Sequence, residues 1–293
     1  MGWTESVKKF RVFLEMIKFQ HSLFVLPFAY MGLWLAEHGW PRLDLFLWVT
    51  VAMVSFRTMA MGLNRLIDRR SDRLNPRTEN RALPKGQLKP SFVWLIIFAA
   101  FAVFEFSAYQ LNLICFKLSW IPVLLAWIYP WTKRFTWLSH LVLGIILGIA
   151  PYGAWLASRG TFSWIPGLIT LGVTAWVAGF DIIYALQDLE FDRHQGLSSF
   201  PARFGRKMSL TVTHALHGFA LAMWGMAGWR AGLGIIYFFG IAVVAVFLIR
   251  ENYLARSFGL SKLEEAFFTM NIVVSLSLFA VTLLDFSLRG AFL

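Results

Sequence analysis

Asn64, Asp68 and Asp72 recur at i, i+4 and i+8 in the stretch NRLIDRRSDRLNPRTENRALPKG, and Tyr184, Asp188 and Asp192 repeat that spacing in DIIYALQDLEFDRHQG. On a helix each step of four residues turns by only about 40°, so each trio shares one face. Asp181, seven residues before Asp188, continues the second stripe. Two facing stripes of oxygen donors suit a hard cation such as Mg²⁺, which keeps water and substrate phosphates in its shell, better than they suit zinc. A solvated helix end with ion pairs to Arg65, Arg69 and Arg73 would account for the first trio alone, but it leaves the second unexplained.

The many Lys and Arg around these carboxylates imply a polyanionic ligand, because the cations would otherwise repel the metal and one another. A diphosphate fits, with Arg supplying forked donors and Lys point charges. Arg69, Arg77, Arg81, Lys85 and Lys133 are the candidate cations, since they lie in or beside the motif segments. LPKG, residues 83–86, reads as a turn that folds Lys85 over the site as part of a lid. GLNRLID lacks the spaced glycines and Lys-Ser or Lys-Thr pair of a P-loop, which disfavours a nucleotide.

The elements that must hold these residues are membrane helices. The 293 residues are 58% hydrophobic, with mean hydropathy +0.62, and their apolar runs repeatedly reach the roughly 18 to 20 residues that span a bilayer. Continuous rather than alternating runs predict an all-α fold, with about nine helices near 19–36, 43–63, 91–109, 113–130, 137–157, 164–186, 209–228, 231–249 and 270–288. The two acidic trios fall at the ends of the second and sixth helices. Four crossings separate them, so they emerge on the same side. That placement predicts a single domain over 1–293 built as two parallel four-helix repeats, near 1–136 and 137–293, with a ninth helix appended.

Net charge +11 would suggest nucleic acid in a soluble protein, but here the charges sort by loop. Of the 27 Lys and Arg, 21 fall before the first helix or after the second, fourth, sixth and eighth, including Lys262. The opposite side holds only Arg42, Lys117, Arg159, Arg230 and Arg289. The positive-inside rule then places the N-terminus and acidic motifs in the cytoplasm and the C-terminus outside. KKFRVFLEMIKF is amphipathic with no cleavage site close behind it, so no removed signal is expected.

Arg57 is the remaining basic residue and lies inside the second helix, where a charge needs an interior partner. It shares a face with Asn64, seven residues on, and could pair with a carboxylated ligand or form an ion pair with Glu105 or Asp181. Cys115 alone forms no internal disulfide and reads as a packed residue; His214 and His217 lack acidic or thiol partners and read as core. The glycines of LGIILGIAPYGAW permit close helix approach within or between bundles.

The run from Arg57 through NRLIDRRSDRLNPRTENRALPKG, the YPWTKR at 129–134 and YALQDLEFDRHQG together resemble the signature segments of the UbiA superfamily of intramembrane aromatic prenyltransferases. The resemblance covers essentially the whole chain. It departs at Arg65, where many members carry Asp, and the Asn-Arg variant followed by NPRT resembles the 4-hydroxybenzoate polyprenyltransferase-like branch. That branch includes enzymes that prenylate naphthoate-type acceptors on the futalosine route to menaquinone.

The resemblance implies that Asp68, Asp72, Asp188 and Asp192, with Asn64, hold Mg²⁺ against a polyprenyl diphosphate. It further implies that Arg57 pairs with the carboxylate of an aromatic acid, and that Tyr184 and Asp181 orient this acceptor or take its phenolic proton. The expected partners are these two substrates and the lipid bilayer of a bacterial or archaeal cytoplasmic membrane, with no nucleic acid. The competing class is a carrier of phosphorylated or carboxylated anions, for which four aspartates at the mouth serve no purpose.

Overall fold

The computed structural model describes residues 3–18, 24–257 and 263–290. All regular structure among them is helical: α1 (Trp3–Met16), α2 (Leu26–Glu37), α3 (Leu43–Ile67), α4 (Arg69–Leu74), α5 (Pro90–Leu111), α6 (Leu113–Leu118) and α7 (Trp120–Thr132). There follow α8 (Ser139–Arg159), α9 (Trp164–Ala185), α10 (Leu189–His194), α11 (Phe200–Arg230), α12 (Ile235–Ser257) and α13 (Leu263–Gly290).

Seven helical stretches among the described residues are long and apolar enough to cross a membrane: Leu43–Ile67, Pro90–Leu111, Leu113–Thr132, Ser139–Arg159, Trp164–His194, Ile235–Arg256 and Thr269–Leu288. The two further spans expected from hydropathy correspond to α2 and α11. In α2 there are only 12 residues, and the stretch 19–23 expected to begin that span lies outside the described residues, as does Lys262. In α11 the helix starts nine residues before the expected apolar run and is interrupted at Gly205 (φ 75°); His214, His217 and several Ser, Thr and Gly keep its hydropathy low. The fourth expected span is α6 and α7 in series.

Local signals set many of the boundaries. Pro90 opens α5, where its missing N–H costs nothing. Gly160 closes α8 in the left-handed conformation (φ 62°), which lacks a penalty only for glycine.

Two large hydrophobic cores divide the bundle. One gathers α2, α9, α11, α12 and α13 around Phe28, Trp176 and Trp224, all fully buried, with Phe28 stacked on Trp224 at 5.4 Å between ring centroids. The other gathers α1, α3, α5 and α7 around Phe13, Met59, Leu63 and Ile97. α8 joins them, packing against α2, α7 and α9. Its approach to α9 depends on two glycines one turn apart: a Cβ on Gly144 would lie 2.3 Å from the Thr174 carbonyl oxygen, and one on Gly148 would lie 2.2 Å from Thr174 Oγ1. Gly144 and Gly148 thus serve contacts inside one bundle.

Candidate active site

Each acidic trio lies where its helix breaks. α3 stops at Ile67, Asp68 forms the turn with its N–H on the Asn64 carbonyl at 3.0 Å, and α4 begins at Arg69. α9 stops at Ala185, a 3₁₀ turn covers Leu186–Asp188, and α10 begins at Leu189. A spacing of four is compatible with one continuous helix, and the structure corrects that reading: both stripes bend at their middle carboxylate, which turns them into a common basin.

That basin, about 150 Å³, is lined by Asn64, Asp68, Asp72, Asp188, Asp192 and Asp181 together with Tyr184, Arg77, Arg81 and Lys133. Arg69 and Lys85 line neither it nor the larger cavity described below. Ala82, Leu83 and Leu88 are buried and pin the 81–89 turn to the second core, leaving Lys85 on its exposed outer edge.

Cations stand against Asp68, Asp72 and Asp188 along the basin. Arg81 Nη1 donates to Asp72 Oδ1 at 2.7 Å, Lys133 Nζ lies 3.5 Å from Asp68 Oδ2, and Asn64 Nδ2 donates to that same oxygen at 3.2 Å. Arg77 Nε donates to Asp188 Oδ1 at 2.9 Å and Nη2 reaches Oδ2, while Asn75 Nδ2 adds a bond to Oδ1 at 2.8 Å. Burial alone would lower the Arg77 pKa, but its bonds to Asp188 and Tyr184 outweigh burial and hold it raised, so it stays charged. Burial pushes the Asp68 carboxyl above its ordinary range, with Lys133 pulling the other way.

These contacts occupy only part of each carboxylate. Asp68 Oδ1 and Asp72 Oδ2 are buried without a hydrogen-bond partner. Among the described residues no three His, Cys, Asp or Glu come together as a ready metal cluster. Buried, unsatisfied carboxylate oxygens beside oxygen-rich neighbours nevertheless fit a hard cation, since leaving them unpaired is costly.

The basin opens onto a second, larger space of about 620 Å³, lined mainly by apolar side chains of α3, α7, α8 and α9. Asn64, Arg65, Arg81, Tyr129, Asp181 and Tyr184 border both. Arg57 lines the larger cavity. Its Nη2 donates to the Lys18 carbonyl at 3.3 Å, while Nε is buried without a partner. Neither expected ion-pair partner takes it: Glu105 accepts from Ser119 Oγ at 2.8 Å, and Asp181 is held by His140 at 2.7 Å.

Arg65, the position that departs from the family pattern, donates to the Met16 carbonyl and to Asn64 Oδ1, both at 3.3 Å. Two residues here were not singled out by the sequence: Asn75 and His140 touch motif carboxylates 113 and 41 positions away. Asn75 could have been suspected from the Asn-Pro pair that ends α4.

An apolar cavity among membrane-spanning helices, set end to end with a basin of carboxylates and cations at their ends, defines an integral-membrane enzyme for a substrate with an apolar body and a charged head. The chain belongs to the UbiA prenyltransferase family, whose profile matches residues 25–273, and it is a prenyltransferase. A UbiA homolog from Aeropyrum pernix K1, solved in the apo state, superposes with TM-score 0.82 and 34% identity over 91% of this chain and 98% of its own. A UbiA homolog from Archaeoglobus fulgidus bound to GPP and Mg²⁺ shares the fold, with TM-score 0.70 and 18% identity over 94% and 99%. The 4-hydroxybenzoate octaprenyltransferase of Marinobacter nauticus is 29% identical over 252 residues, 85% of each chain.

Proposed function

We propose that this enzyme transfers a polyprenyl group from polyprenyl diphosphate to a hydroxylated aromatic acid of the 4-hydroxybenzoate type, in quinone biosynthesis and with Mg²⁺. The observation that carries the reading is the junction of the apolar cavity with the charged basin at Asn64, Arg65, Arg81, Tyr129, Asp181 and Tyr184. One space accommodates an isoprenoid tail, the other a diphosphate, and the scissile bond falls between them. Relatives named 4-hydroxybenzoate octaprenyltransferase and a homolog holding GPP and Mg²⁺ support the same substrates here.

Asp68, Asp72, Asp188 and Asp192, with Asn64, are the residues that would hold Mg²⁺, and the unsatisfied oxygens of Asp68 and Asp72 are the features that favour it. Bound Mg²⁺ neutralises charge on the leaving diphosphate. Arg77, Arg81 and Lys133 stabilise the same developing charge from fixed positions. Arg57, which lines the apolar cavity and has no carboxylate partner among the described residues, takes the acceptor's carboxylate.

Tyr184 and Asp181 stand at the junction, where the acceptor's hydroxyl is oriented. As the ring carbon bonds to the allylic carbon, the allylic C–O bond breaks onto diphosphate and the hydroxyl proton passes to Asp181. Loss of the ring proton at the substituted carbon to solvent then restores the aromatic ring as a phenolate, and Asp181 returns its proton to give the phenol. The apolar walls keep water from the allylic cation.

The chain acts as a single domain whose two halves, near 1–136 and 137–293, each bring one acidic motif. The basic loops and the basin face the cytoplasm, an orientation supported by the distribution of Lys and Arg. Transfer of a labelled polyprenyl group to 4-hydroxybenzoate and to dihydroxynaphthoates, in membranes with Mg²⁺ or a chelator, tests the reading. A chelator-sensitive benzoate product is expected. A naphthoate product instead would move the enzyme to menaquinone precursors, and no product from either acid would overturn the proposed acceptor class.

A further inference from the structure

His140 is the second residue of α8 and is buried, yet it lines the charged basin. Its two ring nitrogens have different partners. Nε2 lies 3.3 Å from the backbone nitrogen of Phe200, and Nδ1 lies 2.7 Å from Asp181 Oδ2. Phe200 opens α11, where first-turn N–H groups have no partner within the helix, so this N–H donates to Nε2. A nitrogen that accepts carries no proton. The ring proton therefore sits on Nδ1 and is donated to Asp181.

The approach of the two loops is itself fixed, because the Ser198 N–H donates to the Lys133 carbonyl at 2.7 Å. His140 thereby joins α8, α9 and the start of α11 at one point. The Asp181 side chain is 19% exposed where that of His140 is 7%, and Asp181 borders both the basin and the apolar cavity. One Asp181 oxygen is anchored, and the carboxylate still faces the space where the two substrates meet.

We propose that His140 is a positioning residue for Asp181: its Nδ1–H holds one carboxylate oxygen so that the other meets the acceptor's hydroxyl. The inference rests on the aromatic-acceptor reading above. An imidazole whose tautomer is set by a backbone N–H donates in one direction only, so the Asp181 oxygen it meets is held as the acceptor. His140 touches neither the tail cavity nor a diphosphate-binding cation among its hydrogen bonds, and its loss should therefore fall on the acceptor side of the reaction.

The test compares wild type with His140→Ala, His140→Asn, Asp181→Asn and the His140→Ala/Asp181→Asn double variant, with polyprenyl diphosphate and 4-hydroxybenzoate varied in turn. The amide nitrogen of Asn overlays Nδ1 and keeps the donor. Expected for His140→Ala is a fall of about tenfold to a hundredfold in kcat/KM for the acceptor, with KM for the diphosphate unchanged; His140→Asn should recover most of it. Adding His140→Ala to Asp181→Asn should cost nothing more. Full additivity of the two changes, or an equal loss on both substrates, would overturn the proposal.

A second measurement does not depend on turnover. Nitrogen-15 NMR of histidine-labelled enzyme, with the signal assigned by its loss in His140→Asn, should show the Nδ1–H tautomer in wild type. An Nε2–H tautomer would overturn the anchor even if activity were high. If wild type transfers no prenyl group to any aromatic acid, the acceptor reading fails, and the tautomer still decides the His140 contact.

Discussion

Arg77 and Asp188 meet across 111 positions of sequence through a forked contact, Nε to Oδ1 at 2.9 Å and Nη2 to Oδ2. The same guanidinium donates through Nη1 to the Tyr184 hydroxyl at 2.9 Å and lies 5.0 Å from the centre of that ring. The loop after α4 is thus fastened to the end of α9, and one wall of the basin is closed by this contact. Arg77→Ala leaves Asp188 partly buried without its countercharge, a loss of about 3 kcal/mol. Thermal unfolding should move down and KM for polyprenyl diphosphate should rise. Arg77→Lys keeps the charge without the fork and should restore only part of the stability; melting unchanged from wild type in Arg77→Ala would remove the structural role.

Asp68→Ala and Asp188→Ala should each abolish turnover and leave the protein inserted and helical. The expected signature is loss of the Mg²⁺-dependent rise in melting temperature, because an ion that binds only the folded state stabilises it in proportion to its affinity. Wild-type activity in either variant would sink the metal assignment. Asp68→Asn, which keeps size and removes charge, should behave like Asp68→Ala.

Among the described residues Arg57 holds a single hydrogen bond, to the Lys18 carbonyl, and its Nε is buried without one. If its charge is completed by the acceptor's carboxylate, Arg57→Ala should raise KM for 4-hydroxybenzoate by about tenfold or more, the scale of one charge-assisted contact. KM for the diphosphate should change little. An uncharged phenol offered as acceptor should discriminate poorly between wild type and variant, and equal sensitivity to the acid and the phenol would count against the pairing.

Gly144 and Gly148 let α8 approach Thr174 of α9 more closely than any side chain permits. Gly148→Val should therefore lower stability by about 1 to 3 kcal/mol through overpacking. His140 lies about one turn before Gly144 on the same helix, so Gly144→Val should also loosen the His140–Asp181 contact and reduce the transfer rate. Unfolding midpoints and acceptor kinetics measured together would show both effects, and a stable variant with full activity would mean that the helices separate without cost.

What the sequence made legible were local properties. The four-residue spacing of Asn64, Asp68 and Asp72, and of Tyr184, Asp188 and Asp192, is a fact about one stretch of chain, as is the length of an apolar run. The contacts that shape the site are not local. Nothing near Asp188 announces Arg77, and nothing near Asp181 announces His140, because those pairings follow from the docking of α4, α8 and α9. The bends at Asp68 and at Leu186–Asp188 escaped for a related reason: a continuous helix satisfies the same spacing. In α11, the polar stretch before Met208 put the expected start at 209, nine residues after the helix begins at Phe200.

The far part of the apolar cavity makes a prediction about tail length. Gly153 lines it, and a Cβ added there meets no atom within 4 Å, so the position faces open space; Cys115 Sγ lies 3.9 Å from its carbonyl oxygen. Leu143 and Gly153 both line the cavity on α8, and ten residues of helix put them about 15 Å apart along its axis. An isoprenoid tail that enters beside Asp181 and follows α8 must pass Gly153 once it exceeds that reach. Gly153→Phe should place a ring in its way, leaving transfer from dimethylallyl and geranyl diphosphates near wild type while reducing transfer from long polyprenyl diphosphates. Rates measured over a series of increasing tail length would locate the obstruction. A uniform loss at every length would indicate a general packing defect, and an unchanged profile would mean that the tail leaves the cavity before it reaches Gly153.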